Sequence, residues 1–389
     1  MTRFKSWTLT DVRGDVWLDS FAVDPSSLHL PTPHGWSVRK RTLRGGLRDG
    51  VDLVEVHNGA LSFAVLPTRG MGLWRGDYRG LSLGWKAPLN GPVHPCHVRL
   101  AENGGLGWLQ GFDEWLCRCG LAFNGPPGDD GGAAVTLHGR IANLPAQLVE
   151  VRVDLDPPHE ISVRGEVEES FLFGPSLRLT TTYATVPGSN RLVIHDVVDN
   201  LAARPVEMQL LYHCNMGPPL LGAGSRVLVP FREMAPLTRR AAEGVDSYES
   251  YVGPTPGFAE QVYVYEPLAD ARGHTLAVLL NAAADRAFAV RFNPRELPCF
   301  TVWKNCGAVE DGYVTGLEPA TGYPNFKAFE RRQGRVRTLP PGGRWECRWA
   351  VEVAEGTSAV AGLLAEVATL QAQAKAVIHR SPQPKYSPV

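Results

Sequence analysis

The sequence predicts an all-β protein, a large antiparallel β-sandwich followed by a C-terminal helix. Short segments in which apolar and polar residues alternate recur along most of the chain, and they are rich in Val, Thr, Tyr, Phe and Trp. The chain also contains 41 Gly and 31 Pro, an ample supply of turn formers for joining many short strands. Helical periodicity is scarce before the end of the chain, and this favours the β class.

The predicted strands form an antiparallel meander. Residues 51–66 have the pattern of two alternating strands joined at the turn signal Asn58-Gly59. Similar patterns recur at VTLHGRI, QLVEVRVDL, EISVRGEVEES, LRLTTTYATV and RLVIHDVVDN, and later at QVYVYEPL, TLAVLLN, AFAVRFN, CFTVWKN, YVTGLEP and RWECRWAVEV. More than a dozen strands are therefore expected.

The domain organisation follows from the scarcity of breaks in this pattern. Residues 1–355 are expected to form a single sandwich domain with an N-terminal extension, 1–50. Residues 356–389 are expected to form a helix, capped by Thr357 or Ser358, and a loose Pro- and Ser-rich tail. No linker with a sharp shift in composition separates a second domain.

Composition narrows the class of partner. The 39 Lys and Arg balance 40 Asp and Glu, and no basic block could neutralise several phosphates, so nucleic acid is excluded as the expected partner and a small molecule is favoured. The N-terminus lacks the apolar run of a signal peptide and no membrane span is evident, so we expect a cytoplasmic protein with homodimerisation left open. The seven cysteines are expected to be reduced thiols.

Glu318 is the first candidate catalytic residue. It lies in TGLEPATGYPN, where a strand runs into Glu318 and the residues Pro319, Gly322 and Pro324 then turn the chain. A carboxylate at the end of a strand is held by the scaffold while its tip can reach a cleft. A solvated loop glutamate is the alternative interpretation.

Two histidine segments show a shared pattern. In VTLHGRIANLPA, His138 and Arg140 are two residues apart and would share one face of a strand, beside Asn143. In LLYHCNMGPPLLG, His213 and Asn215 share a face at the end of an apolar strand. Polar pairs are costly to bury without a partner, so each pair is a candidate for ligand contact or for a hydrogen-bonded structural role.

Arginine and tryptophan side chains supply further candidate ligand contacts. Arg69 lies between Pro67 and Gly70 with Trp74 nearby; the guanidinium fork suits vicinal hydroxyls or a carboxylate, and the indole offers a flat apolar face. An ion pair between Arg69 and a local acid is the alternative. Binding roles of the same kind are predicted for four residues of two later segments: Glu260, Gln261, Trp303 and Lys304.

Motifs for nucleotide, nucleophilic and zinc chemistry are absent from the sequence. There is no GxGxxG after a strand, no Walker loop, no GxSxG elbow and no HExxH. The histidine pairs His94 with His97 and His138 with His213 could be metal ligands, but the first lies in a Pro-rich loop without a carboxylate at helical spacing. We therefore expect no metal and no cofactor.

Taken in order, these segments resemble the galactose mutarotase-like, or aldose 1-epimerase-like, superfamily, and in particular a branch of bacterial proteins. That branch shows a PxRGM element, an LHGR element followed by Asn, a tyrosine-histidine strand end and a GLEP-turn-Pro element. Here these are LPTRGM, LHGRIAN, LLYHCNMG and GLEPATGYPN, within roughly residues 50–352. The resemblance implies the mutarotase-like supersandwich fold.

The resemblance also implies roles for individual residues. Glu318 is similar to the general base that takes the proton from the anomeric hydroxyl, His213 to the general acid that protonates the ring oxygen, and His138 to a second histidine that holds or polarises the sugar. Glu260 falls near an acidic residue that binds sugar hydroxyls. The implied activity is cofactor-free interconversion of the C1 anomers of a monosaccharide or sugar acid. Glu318 is expected to be ionised and the acid histidine protonated near neutral pH.

The substrate does not follow from the resemblance. YHCNMG replaces the longer asparagine-histidine signature of galactose mutarotase, and Arg69, Arg118 and Arg140 would suit an anionic sugar. Two other functions stay open: a lyase or isomerase that uses the same pair to abstract a carbon-bound proton, and a non-catalytic carbohydrate-binding protein in which Trp74 and Trp303 grip the sugar.

Overall fold

The structure of the protein is a computed structural model that describes residues 3–388. Its strands are β1 (Phe4–Asp11), β2 (Val16–Trp17), β3 (Phe21–Val23), β4 (Ser37–Thr42), β5 (Asp52–His57), β6 (Leu61–Leu66), β7 (Gly72–Tyr78), β8 (Leu81–Leu83), β9 (Leu116–Leu121), β10 (Gly128–Asp130), β11 (Ala133–Val135), β12 (Leu148–Asp154), β13 (Ile161–Ser170), β14 (Ser176–Thr185), β15 (Arg191–Asn200), β16 (Val206–Met216), β17 (Arg226–Leu228), β18 (Phe231–Pro236), β19 (Gln261–Pro267), β20 (Thr275–Leu280), β21 (Arg286–Phe292), β22 (Cys299–Asn305), β23 (Val314–Ala320), β24 (Arg337–Leu339), β25 (Arg344–Glu355) and β26 (Val377–Ile378). The α-helices are α1 (Glu102–Gly105), α2 (Arg239–Glu243), α3 (Lys327–Arg332) and α4 (Thr357–Gln371). Short 3-10 helices cover Ser26–Leu28, Gly46–Arg48, Pro95–His97, Gly107–Gly111, Ile141–Asn143, Val245–Ser247 and Val309–Asp311.

Two large sheets form the sandwich, which confirms the predicted all-β class. The smaller sheet has ten strands in the order β17-β20-β21-β25-β15-β14-β13-β12-β1-β2. The larger sheet runs β26-β18-β19-β22-β23-β16-β9-β7-β6-β5-β4-β3, with β24 paired to β16 and β8 paired to β7. Among the described strands, neighbours pair antiparallel except β18 and β26, which are parallel. β10 and β11 form a separate hairpin.

The core lies between the two sheets, and its pattern explains where a cleft can form. In β13, β14 and β15, buried residues alternate with half-buried ones, because one face of each strand packs inward and the other approaches solvent. In β16 and β23 almost every residue is buried. These two strands of the larger sheet are therefore covered on both faces.

The N-terminal residues belong to the sandwich, so describing 1–50 as an extension is wrong for the described part. β1 pairs with β12 at one edge of the smaller sheet, and β3 and β4 continue the larger sheet beyond β5. The first fifty residues therefore contribute strands to both layers.

The C-terminal helix is confirmed, with changes at both ends. Helix α4 begins at Thr357, and its N-cap residue is Gly356 rather than the predicted Thr357 or Ser358. Its buried side chains Val360, Leu363 and Leu370 pack on the smaller sheet. It is the longest helix of the described chain at 15 residues, and none of these helices is long and apolar enough to span a membrane. The expectation of a loose tail is wrong, since residues 377–387 return to the edge of the larger sheet.

The predicted strand VTLHGRI is also wrong. β11 ends at Val135, and residues 136–140 form a turn in which His138 and Gly139 have φ angles of 57° and 72°. A Cβ at Gly139 would collide with the carbonyl oxygen of Phe123, so the turn requires glycine both for its φ angle and for its close approach to the neighbouring chain.

Candidate active site

A cleft of about 670 Å³ lies on the face of the larger sheet that is turned away from the sandwich core. Alternation along the strands separates the two faces. Tyr212, Cys214 and Leu317 point into the core, whereas His213 and Glu318 point into the cleft. The cleft floor is therefore built from neighbouring strands in the middle of the sheet, where backbone pairing holds the side chains firmly.

His213 and Glu318 meet at the floor of this cleft. Their strands pair directly, with Cys214 opposite Leu317, and both side chains are buried. His213 Nε2 lies 3.3 Å from Glu318 Oε1. Two residues about a hundred positions apart in the sequence thus form one close polar pair.

Asn215 fixes the orientation of the His213 ring. The Asn215 side-chain amide donates to the carbonyl oxygen of Glu114 at 2.9 Å and to that of His213 at 3.2 Å, which turns its oxygen toward the ring. His213 Nδ1 donates to this oxygen at 2.6 Å. Because Nδ1 carries a hydrogen, Nε2 is the nitrogen that faces Glu318 and exchanges a proton there.

Burial favours the uncharged form of this pair in the free protein. Burial raises the pKa of Glu318 well above its usual range, and Cys119 and Glu260 act in the same direction. Burial, together with the nearby His138, lowers the pKa of His213 to about 3. Burial thus acts against the expectation of an ionised Glu318 and a protonated His213 in the free protein, because it disfavours the charged form of each group.

His138 lies at the side of the same cleft. Its Nδ1 lies 2.9 Å from the carbonyl oxygen of Asn124, and its ring packs edge-on against Trp108 and 5.7 Å from the His213 ring. Burial opposes a charge on this imidazole, but Cys119, the Asn124 carbonyl and Glu318 together raise the pKa of His138 to about 9. The pKa of His138 is therefore shifted in the opposite direction from that of His213.

An aromatic wall surrounds the two histidines. The Phe112 ring packs against the His213 ring with centroids 5.0 Å apart. The Trp108 and Phe112 rings pack against each other with centroids 4.6 Å apart. Trp303 lies 5.3 Å from the His213 ring and donates its indole N–H to Glu260 at 2.6 Å. The structure thus brings two predicted binding residues, Trp303 and Glu260, to the cleft.

Several cleft residues were not identified from the sequence: Trp85, Trp108, Phe112, Thr238, Asn305 and Asp311. Asn305 is the last residue of β22, and the others lie in 3-10 helices or loops, where no periodic pattern marks them. The dense aromatic spacing of GWLQGF, residues 107–112, is the signal that could have indicated a binding wall.

Arg69 and Asn143 do not reach the cleft. Arg69 is buried and forms an ion pair with Glu114 at 2.6 Å, and it also donates to Asn143 Oδ1 and to the carbonyl oxygens of Val93 and Gly111. Protein oxygen atoms accept the hydrogen bonds of the Arg69 guanidinium, so this group is not free to bind a sugar. Arg69 instead anchors the loop that carries the aromatic wall.

The other two arginines that suggested an anionic sugar also lie outside the cleft. Arg118 is buried between the sheets, where it forms a bidentate ion pair with Asp196 and donates to Tyr183. Arg140 is exposed and its guanidinium lies 5.3 Å from the Phe171 ring. The turn that replaces the predicted strand directs Arg140 away from His138.

Strand alternation removes two further predicted contacts. Gln261 pairs with Lys304 across β19 and β22, and both side chains point to the opposite face from Trp303. Lys304 Nζ donates to the carbonyl oxygen of Ser250 at 2.8 Å, and burial lowers its pKa to about 8. Asn215 acts behind His213 and does not line the cleft.

Gly316 makes the close contact between His213 and Glu318 possible. It lies on β23 two residues before Glu318, on the same face. A Cβ at this position would lie 3.1 Å from His213 Cε1 and well inside van der Waals distance of Glu318 Oε1. Only glycine leaves room for both groups.

Within residues 3–388, no three His, Cys, Asp or Glu side chains are grouped so that they could hold a metal ion.

The two-sheet β-sandwich has the mutarotase-like fold, and comparisons with known proteins agree. The family described as a domain of unknown function (DUF4432) matches residues 48–353. A crystal structure from Klebsiella pneumoniae, named a "putative aldose 1-epimerase", is 36% identical with a TM-score of 0.95, covering 98% of this chain and 99% of its own. The chain therefore belongs to the DUF4432 family, within the galactose mutarotase-like superfamily.

More distant structures share the fold alone. A galactose mutarotase-like protein from Clostridium acetobutylicum is 13% identical with a TM-score of 0.55, covering 87% of this chain and 99% of its own. A protein from Escherichia coli K12, also named a "putative aldose 1-epimerase", is 12% identical with a TM-score of 0.54, covering 79% and 100%. The comparison with curated proteins gives no match.

Proposed function

We propose that this protein is an aldose 1-epimerase, which interconverts the α and β anomers of a monosaccharide by opening and reclosing its ring. The observation that carries the proposal is the buried pair of His213 Nε2 and Glu318 Oε1, 3.3 Å apart at the floor of a cleft of sugar size. The reaction needs one group to take a proton and another to give one, at two oxygens bonded to the same carbon. A pair this close can reach both oxygens.

The chemistry balances without any other reagent. One member of the pair removes the hydrogen of the anomeric hydroxyl while the other protonates the ring oxygen, the bond between C1 and the ring oxygen breaks, and O1 becomes a carbonyl oxygen. After rotation about the bond between C1 and C2, the same transfers run in reverse on the other face. The pair holds one proton before and after each half of the reaction.

A positive charge on His138 supports one of the roles that the family resemblance implies. It lowers the pKa of Glu318 and so favours the carboxylate that would act as the base. His138 would also stabilise negative charge developing on the sugar oxygens.

A neutral sugar fits this cleft better than an anionic one. No Lys or Arg of the described chain lines the cleft, whereas the carboxyl groups of Glu260 and Asp311 do, beside Glu318. Carboxylates repel a uronate or a phosphosugar but accept hydrogen bonds from hydroxyls, and Trp85 and Trp303 supply apolar faces for the C–H side of a ring. We therefore propose a neutral aldose as the substrate class.

The test is the rate at which a pure anomer equilibrates, followed by polarimetry or proton NMR. Glu318→Gln keeps the shape but cannot accept a proton, so we expect the accelerated rate to fall by about 10²- to 10⁴-fold while sugar binding persists. Arg140→Gln is the matched control, because this residue is exposed and lies outside the cleft, and it should retain the full rate. An unchanged rate in Glu318→Gln would contradict the proposal.

The same assay separates the alternatives. Neutral aldoses should have a higher kcat/KM than the corresponding uronates; the opposite order would contradict the neutral substrate. Deuterium from heavy water appearing at a sugar carbon would identify a lyase or isomerase instead. Binding without accelerated anomer exchange would identify a carbohydrate-binding protein.

A further inference from the structure

The C-terminal residues 379–387, called here the tail strap, pack beside the cleft although they lie outside the matched family region. After β26 pairs with β18, the backbone N–H of His379 donates to the carbonyl oxygen of Met234. The strap then follows the outer edge of the larger sheet. Its location is unexpected from its Pro- and Ser-rich composition.

Tyr386 anchors the strap. It is only 2% exposed, and its ring packs edge-on against Tyr323 with centroids 5.5 Å apart. Its hydroxyl donates to Glu233 at 3.1 Å and to Glu266 at 3.3 Å, and Lys385 Nζ donates to Glu266 at 2.9 Å. A buried aromatic ring with paired polar ends indicates a specific docking site rather than a chance contact.

The strap also bonds to both segments of one cleft wall. Ser387 Oγ donates to the carbonyl oxygen of Leu237 at 2.8 Å, and Asn325 Nδ2 donates to the carbonyl oxygen of Tyr386 at 2.9 Å. Leu237 lines the cleft where β18 ends, and Pro324, the neighbour of Asn325, lines it after the turn that follows Glu318. These two segments come from different strands, and the strap joins them.

We propose that the tail strap is a positioning element that fixes this cleft wall, Leu237–Thr238 with Pro324–Asn325, and thereby sets how tightly the sugar binds. The proposal rests on the proposed function. Within the described chain, no hydrogen bond joins the strap to His213 or Glu318. The positions of these two residues depend instead on the pairing of β16 and β23. Its loss should therefore change binding more than proton transfer.

Two variants test the strap through kinetics. A chain ending at Ile378 removes it, and Tyr386→Phe combined with Ser387→Ala keeps the buried ring but removes its hydroxyl bonds and the bond to Leu237. In both we expect KM for a neutral aldose to rise by about five- to tenfold with kcat nearly unchanged. The matched control is Arg380→Ala, which removes an exposed ion pair with Asp246 away from the cleft wall and should leave both constants unchanged.

Hydrogen exchange of the same variants gives a readout that does not depend on activity. We expect faster exchange in residues 231–238 and 321–326, and unchanged exchange in 211–216 and 314–320. Unchanged exchange in the wall segments, or an equal rise in all four segments, would overturn the proposal. If the wild-type chain fails to accelerate anomer exchange, the proposed function fails while the exchange result still decides the role of the strap.

Discussion

Replacing Gly316 by alanine tests whether the geometry of the His213–Glu318 pair governs activity. The new Cβ would overlap Glu318 Oε1, and an ordinary contact requires this oxygen to move by about 1 Å. His213 cannot yield easily because its ring is held by Asn215 and packed against Phe112. Since a misplacement of about 1 Å can cost about 10²-fold in rate, we expect kcat to fall by about 10²-fold.

The assay is anomer equilibration of a neutral aldose, with thermal unfolding measured in parallel. Gly316 has an ordinary negative φ angle, so alanine strains the side chains and not the backbone, and the melting temperature should change little. Gly362→Ala is the matched control, because its Cβ on helix α4 would meet nothing within 4 Å. Full activity in a folded Gly316→Ala protein would refute the reasoning that the pair must keep this spacing.

Two further predictions concern buried charges away from the pair. Arg118→Met leaves the fully buried Asp196 without its cation, so the free energy of unfolding should fall by about 3–5 kcal/mol in denaturant titrations. The control Arg41→Met removes an exposed ion pair and should lower the free energy of unfolding by less than about 1 kcal/mol. Equal losses in the two variants would contradict this prediction. Burial, reinforced by Glu114, raises the pKa of Asp113 from 3.8 to about 8. Between these values the folded chain holds a proton that the unfolded chain has lost, so stability falls as the pH rises. Asp113→Asn should therefore show a smaller fall in melting temperature between about pH 5 and pH 8, and an identical fall would show that Asp113 is not the source.

The local patterns predicted much of the fold and part of the site. Alternation identified β13, β14 and β15, and the i and i+2 spacing placed His213 and Asn215 on one face, where they do form a hydrogen bond. Trp303 and Lys304 could not both face the cleft, since adjacent strand residues point to opposite faces.

The arginines show what local sequence could not decide. Arg69 and Arg118 look like ligand-binding groups in the sequence, but each meets a carboxylate distant along the chain, Glu114 and Asp196 respectively. A buried guanidinium must be paired, and the sequence does not tell which of many acids will lie beside it. The proposal of a neutral sugar rests in part on these two pairings, because neither guanidinium is available to an anionic ligand.

The sequence by itself determined the β class, the C-terminal helix and the candidates His138, His213 and Glu318, because strand alternation, turn residues and motif order are local properties. Only the tertiary structure decided which candidates share a cleft, that Gly316 leaves room for the pair, and that the C-terminal residues pack beside the cleft. Those outcomes depend on contacts between residues far apart in the chain. Burial raises the pKa of Glu318 and lowers that of His213 for the same reason, since desolvation is a property of the whole fold.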